Sequence, residues 1–129
     1  MYKELVISAI IIVSIFVLDY ITQTYTDKAI NEAIQDLTTM KQELKQESID
    51  NEIVFKNASK NYDKWLKYHK NLAFYIEHNE LEKVETNYVA SRSLIENAKY
   101  EDALSEIEKT IFVLQHINDK YSINLENIF

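Results

Sequence analysis

LVISAIIIVSIFVL, residues Leu5–Leu18, decides the fold, because its fourteen consecutive residues carry no charge in a chain that is 27% charged. A helix extended to Tyr2–Ile21 would be about 30 Å long, which matches the thickness of a bilayer's hydrocarbon core. We therefore predict a transmembrane anchor over residues 1–21. Its apolar residues are Leu5, Val6, Ile7, Ile10, Ile11, Ile12, Val13, Ile15, Phe16, Val17 and Leu18.

Two other interpretations of this segment are a cleaved signal peptide and the core helix of a soluble protein. No small-x-small cleavage site follows Leu18, which disfavours the signal peptide. Helical periodicity continues past Asp19 without a break, which favours an anchor leading into a folded domain. We interpret Asp19 as an interfacial residue at the helix exit rather than as an intramembrane carboxylate paired with a partner helix.

The charges that flank the apolar segment predict its orientation. Lys3 and the α-amino group precede it, whereas Asp19 and Asp27 come before Lys28 on the other side. Positive charge is retained on the cytoplasmic side. We expect a single-pass protein of the cell membrane, with its N-terminus in the cytoplasm and residues 22–129 outside as one domain.

The remainder of the chain is typical of an all-α protein. Its 129 residues include no Gly, Pro or Cys, so tight hairpin turns, disulfides and thiolate metal sites are disfavoured or excluded. We predict that the first helix continues to about residue 44 and that further helices cover about 50–76, 80–96 and 100–118. Short loops then make an antiparallel bundle of about four helices. The tail SINLENIF, residues 122–129, is expected to dock on the bundle or, alternatively, to touch lipid.

Apolar residues at helical spacing identify the inward faces. A heptad seam marks the first helix at Ile30, Ala33, Leu37, Met40 and Leu44. We expect the other three helices to turn inward Val54, Ala58, Tyr62, Trp65, Leu72 and Ile76; Leu81, Val84, Tyr88, Ser91 and Ile95; and Ala103, Leu104, Ile107, Ile111, Leu114 and Ile117. Asp50 is a candidate N-cap of the second helix, and Asn79 with Glu82 resembles a capping box for the third.

Charge is distributed unevenly along the predicted helices. The second helix carries a row of lysines at helical spacing, whereas the third and fourth helices are mainly acidic. The net charge of −7 and the pI near 4.9 argue against a nucleic-acid partner. We interpret the row as solvated and facing an acidic neighbour, with a contact strip for a partner or an anion as the alternative. The row consists of Lys56, Lys60, Lys64, Lys67 and Lys70.

Signatures of catalysis are lacking in the sequence. The three histidines, His69, His78 and His116, fit no helical metal motif, and no nucleophile elbow is present. A metal site built from His78 with neighbouring glutamates is conceivable but disfavoured. The sequence thus predicts no catalytic residue, no metal site, no cofactor and no enzymatic activity. The nine tyrosines are compatible with a protein partner, because exposed Tyr is common at interfaces, although ordinary amphipathic surface residues are the favoured interpretation.

Several stretches resemble a known family of small bacterial membrane proteins, the "domain of unknown function 4363" family. They are the N-terminal apolar segment, the Trp65 region, FYIEHNELEKVE (Phe74–Glu85), NAKYEDALSEIEKTIFVLQHI (Asn97–Ile117) and LENIF (Leu125–Phe129). The resemblance covers nearly the whole chain. It implies the anchored helical plan and no known reaction, cofactor or catalytic residue.

Two functional hypotheses follow from these observations. The first is a membrane-anchored interaction or scaffold module that binds membrane lipid through its anchor and a protein partner at the outer face. The alternative is a small-ligand sensor bundle, which would need a separate signalling partner because almost no chain precedes the span. Because catalytic signatures are lacking, an enzymatic function is less favoured than either hypothesis.

Overall fold

The computed structural model describes residues 1–121 and contains four helices within that range. They are α1 (Tyr2–Leu44), α2 (Asn51–Leu72), α3 (His78–Glu96) and α4 (Tyr100–Tyr121). The predicted all-α class is therefore confirmed. The predicted docking of the tail falls on residues 122–129, which lie outside the described residues.

The helices form an antiparallel four-helix bundle. Each helix packs on two neighbours in the cyclic order α1, α2, α3, α4. Across one diagonal, the Tyr100 hydroxyl of α4 donates a hydrogen bond to the Asn51 side-chain oxygen of α2 at 2.8 Å. Short loops at 45–50, 73–77 and 97–99 make successive helices antiparallel, as expected. The α2–α3 loop accordingly lies beside the start of the bundle portion of α1, where Tyr75 Oη is 2.6 Å from Thr26 Oγ1.

The core lies between the inward faces of all four helices. The heptad seam of α1 is buried along its whole length, and so are the five predicted residues of α3. On the other two helices the predicted faces are largely confirmed, although Tyr62, Leu104 and Ile111 are only partly buried. Thr110 is buried although the sequence did not mark it, because its hydroxyl donates to the Glu106 carbonyl at 2.7 Å and thereby satisfies itself within α4.

The starts of α2 and α3 are set in different ways. The Asp50 carboxylate accepts hydrogen bonds from the backbone N–H groups of Glu52 and Ile53 at 3.1 and 3.3 Å, which confirms the predicted N-cap. The predicted capping box at Asn79 is wrong, because α3 already begins at His78. The residue before it, Glu77, has no side-chain cap, and its backbone N–H donates instead to Tyr121 Oη on α4 at 3.0 Å.

The α3–α4 turn contains the only left-handed residue of the described chain. Ala98 has φ of 57°, and the Lys99 N–H donates to the Leu94 carbonyl at 2.8 Å, which closes α3 in a Schellman-type turn. Such a position favours Gly because a Cβ is strained there. A chain without glycine therefore places a strained alanine at this turn.

The N-terminal half of α1 stands clear of the bundle. Its most apolar 18 residues have a mean hydropathy of 2.5 and are entirely exposed. Among the described residues this is the one helix that is long and apolar enough to cross a membrane. Because α1 is unbroken, the boundary predicted near residue 21 coincides with no break in the helix.

The strained turn predicts that Ala98→Gly stabilises the bundle. Removing the Cβ at positive φ relieves roughly 1 kcal/mol of strain, offset in part by the greater freedom of Gly in the unfolded chain. The measurement is thermal unfolding of the full chain in detergent, followed by circular dichroism. The matched control is Ala73→Gly, because Ala73 has φ of −62° and gains nothing from Gly. An Ala98→Gly variant no more stable than the Ala73→Gly variant would contradict the argument.

Candidate interaction surfaces

A cluster of charged and hydroxyl groups joins α1 to α2. The Lys64 ammonium lies 2.7 Å from the Glu32 carboxylate and 3.0 Å from the Asp36 carboxylate, one turn further along α1. The Tyr68 hydroxyl donates a hydrogen bond to the same Glu32 side chain. The ring of Tyr68 packs edge-on against Tyr25 at 5.8 Å between centroids. One lysine on α2 thus bridges two turns of α1.

These contacts shift the ionisation of each partner. Hydrogen bonds from Lys64 and then from Tyr68 lower the pKa of Glu32 below its ordinary value. The hydrogen bonds to Glu32 and Asp36 raise the pKa of the Lys64 ammonium. The hydrogen bond to Glu32 raises the pKa of Tyr68 to about 12. The cluster is therefore held in its charge-paired form across the neutral range.

The rest of the lysine row points away from the bundle. Lys56, Lys60, Lys67 and Lys70 are exposed, and among residues 1–121 none of them lies within ion-pairing distance of a carboxylate. At 100° per residue these four fall opposite Trp65, which faces the core. Within the row, only Lys64 contacts acidic residues in the described part of the chain. These residues lie on α1 rather than on α3 or α4. As a contact strip for an anion or a partner, the row stays a prediction.

An aromatic centre fills the middle of the bundle. The Trp65 indole is buried and stacks on Tyr88 of α3, with 6.0 Å between ring centroids and 17° between planes. Burial raises the pKa of Tyr88, so its hydroxyl stays neutral. The crevice beside the two rings is too narrow to admit a water molecule. The centre therefore packs the helices together and provides no room for a ligand.

A shallow groove of about 910 Å³ runs along the outer side of α3 and α4. Its wall contains Phe112, which is 70% exposed, beside the half-buried Val113. Both signs of charge surround these apolar residues. The remaining lining residues are Asn79, Glu82, Lys83, Thr86, Asn87, Ser105, Glu108 and Lys109. We call this surface the α3–α4 groove.

A second polar cluster joins the α2–α3 loop, the first turn of α3 and the end of α4. Lys120 lies 3.4 Å from Glu77 and 3.3 Å from Glu80, and His116 Nε2 is 3.5 Å from the same Glu80 oxygen. The other oxygen of Glu80 is buried without a hydrogen-bond partner. Within residues 1–121, no three His, Asp or Glu side chains are grouped closely enough to hold a metal ion.

Sequence reasoning identified the lysine row but missed the groove. Phe112 falls on the outer side of α4, outside the apolar face chosen from periodicity. An apolar residue at an outward position of an amphipathic helix was the available signal. Phe74, in the α2–α3 loop, was missed in the same way and is 86% exposed.

Comparison with known proteins identifies the family. The family model described as "Domain of unknown function (DUF4363)" matches residues 20–128. The chain therefore belongs to this family, as its resemblance predicted. No curated protein and no solved structure matches the chain. The matched range begins where the apolar segment ends, so it takes in the bundle.

The Lys64 cluster predicts a measurable coupling between α1 and α2. In a double-mutant cycle with Glu32→Gln and Lys64→Met, we expect a coupling energy of about 1 kcal/mol, because both side chains are partly exposed. The readout is the free energy of unfolding of the full chain in detergent. A coupling indistinguishable from zero would show that the ion pair contributes nothing to stability.

The same variants predict a pH dependence. Glu32 has a lowered pKa in the folded chain, so its contribution is complete above its ordinary value of 4.5 and is lost as pH falls through the folded pKa. The stability difference between the parent and Glu32→Gln should therefore be full at neutral pH and narrow below pH 4.5. Glu47→Gln, in the exposed α1–α2 loop, is the control and should show no such gap.

Proposed function

We propose that this member of the DUF4363 family is a membrane-anchored interaction module, which holds a helical bundle at the outer face of the cell membrane and binds a protein partner there. The observation that carries the proposal is the fully exposed apolar half of α1, joined without a break to a packed bundle. A soluble protein would need to cover such a surface, whereas a bilayer covers it directly.

The composition of the span's two ends supports the proposed orientation. Lys3 lies at the N-terminal end, and Asp19 and Asp27 follow the apolar stretch. Retention of positive charge in the cytoplasm then puts the bundle outside.

The α3–α4 groove supports a partner-binding role. An exposed Phe within a rim of mixed charge resembles the composition of transient protein interfaces, where aromatic residues supply contact area and polar residues supply specificity. A groove between two antiparallel helices fits an amphipathic helix of the partner, laid along it with an apolar side chain beside Phe112. The sensor hypothesis would instead favour a cavity between the helices, and the crevice beside Trp65 excludes even water.

Cysteine labelling tests the anchor and its orientation, because the natural chain contains no cysteine. We expect Ser48→Cys, in the exposed α1–α2 loop, to react with a membrane-impermeant maleimide in intact cells. Tyr2→Cys, at the other end of the span, should react only after the cells are permeabilised. The reverse pattern would overturn the orientation. Recovery of the intact chain in the soluble fraction would overturn the anchor.

Photocrosslinking tests the groove. We expect a photoreactive phenylalanine analogue at position 112 to form a discrete protein adduct in membranes. The control is the same analogue at Ile53, which lies at the N-terminal end of α2, outside the groove, and is 56% exposed. It should form no adduct. With the identified partner purified, Phe112→Ala should weaken its binding at least about tenfold, as truncation of a central aromatic contact does.

Adducts of equal yield at positions 112 and 53, or none at 112, would reject the groove as the binding surface. A partner whose affinity is unchanged by Phe112→Ala would reject it as well. Stabilisation of the chain by a small metabolite without any protein adduct would favour the sensor hypothesis instead.

A further inference from the structure

The α2–α3 loop carries an apolar side chain at the end of the bundle that joins the span. Phe74 is 86% exposed, the highest value among the large apolar side chains of residues 22–121. The two residues that follow it pack against the bundle: Tyr75 is partly buried and Ile76 is buried. The loop therefore has a fixed backbone and one projecting phenyl ring.

Hydrogen bonds fix the height of this loop relative to the apolar segment. Tyr75 Oη lies 2.6 Å from Thr26 Oγ1 and donates to the Thr22 carbonyl at 3.3 Å. Asn71, at the end of α2, donates to Tyr25 Oη at 2.9 Å. The loop thus lies beside residues 22–26 of α1, directly after the apolar segment ends at Ile21.

The rise of an α-helix converts this register into a depth. Thr22 to Thr26 cover about 1.5–7.5 Å along α1 beyond Ile21. The polar headgroup layer on each side of a bilayer is about 5–8 Å thick, since the total thickness exceeds that of the hydrocarbon core by roughly 10–15 Å. With Tyr2–Ile21 across the core, the α2–α3 loop falls within the headgroup layer.

The charges near the loop are compatible with this position. Glu77, which follows the loop, is paired with Lys120 at 3.4 Å. The same ammonium lies 3.3 Å from Glu80. Close pairing reduces the cost of bringing these groups to a lipid surface. Tyr20, exposed at the end of the apolar segment, adds a side chain type that is enriched at the interface.

We infer that Phe74 inserts into the headgroup layer of the membrane and gives the bundle a second lipid contact beside the span. The inference rests on the proposed anchor and deepens it, because it names a lipid-binding residue outside the transmembrane segment. The ligand is a zwitterionic phospholipid surface, because the chain's net charge of −7 disfavours an anionic one. Two contacts, one through α1 and one through the α2–α3 loop, restrict how far the span and the bundle together tilt relative to the membrane.

Tryptophan fluorescence in nanodiscs tests this contact. Full-length Phe74→Trp is reconstituted in phosphatidylcholine nanodiscs, with either ordinary lipid or lipid brominated near the headgroup end of its acyl chains. We expect the brominated lipid to reduce the emission of Phe74→Trp. The parent chain, with only the buried Trp65, gives the background. The matched control is Phe112→Trp. Phe112 is comparably exposed, but it lies about 14 Å along α4 from the helix end that is beside the α2–α3 loop. The emission of Phe112→Trp should therefore be the same in both lipids.

Each outcome bears on the inference separately from the anchor. A chain that enters nanodiscs but shows equal Phe74→Trp emission in both lipids overturns the loop contact and leaves the anchor standing. Equal quenching of Phe74→Trp and Phe112→Trp overturns it too, because the bundle would then lie flat on the lipid. A chain that fails to enter nanodiscs overturns both the anchor and this contact. Unchanged circular dichroism shows that either variant is folded.

Discussion

One helix passes from the apolar segment into the bundle without a break, and the positions of the other three helices follow from it. α1 runs over 43 residues, about 65 Å at 1.5 Å per residue. A chain without Gly or Pro offers no kink between the two halves. The direction of the bundle is therefore set by the direction of the apolar segment. α2 and α4 pack directly on the second half of α1, and α3 closes the ring between them.

Specific side-chain contacts across the helices mark their axial register. The close-packed core resists axial shifts because its side chains interdigitate, and these contacts add to that constraint. Lys64 between Glu32 and Asp36 aligns α2 with α1, and Tyr75 beside Thr26 repeats the alignment nearer the span. Trp65 stacked on Tyr88 aligns α2 with α3. Register in turn determines where the α2–α3 loop lies along α1.

Helical periodicity predicted which residues of a helix face the core, because that depends on one helix alone. It did not predict features that depend on contacts between two helices. The inward faces of α1 and α3 were predictable because burial repeats with the helical period. The start of α3 was not, since the N–H of Glu77 is satisfied by Tyr121, a residue 44 positions away. The partners of Lys64, Glu32 and Asp36 on α1, were likewise not predictable from the periodicity of α2 alone. Phe112 and Phe74 could be recognised as candidate contact residues only from the fold. It places Phe112 in a groove and Phe74 in the loop beside the end of the apolar segment.

The proposed anchor, loop contact and groove combine into one geometric argument. α4 ends next to the loop, and Phe112 lies nine residues before Tyr121, about 14 Å along the helix axis. A bundle held upright by two lipid contacts would keep the Phe112 part of the α3–α4 groove about 14 Å from the membrane end of the bundle. A partner segment reaching it from another membrane protein is confined to the same layer, which raises its effective concentration without a new contact. In the proposed arrangement, a modest interface such as this groove would be enough for association between two membrane proteins, although it would be weak between proteins free in solution.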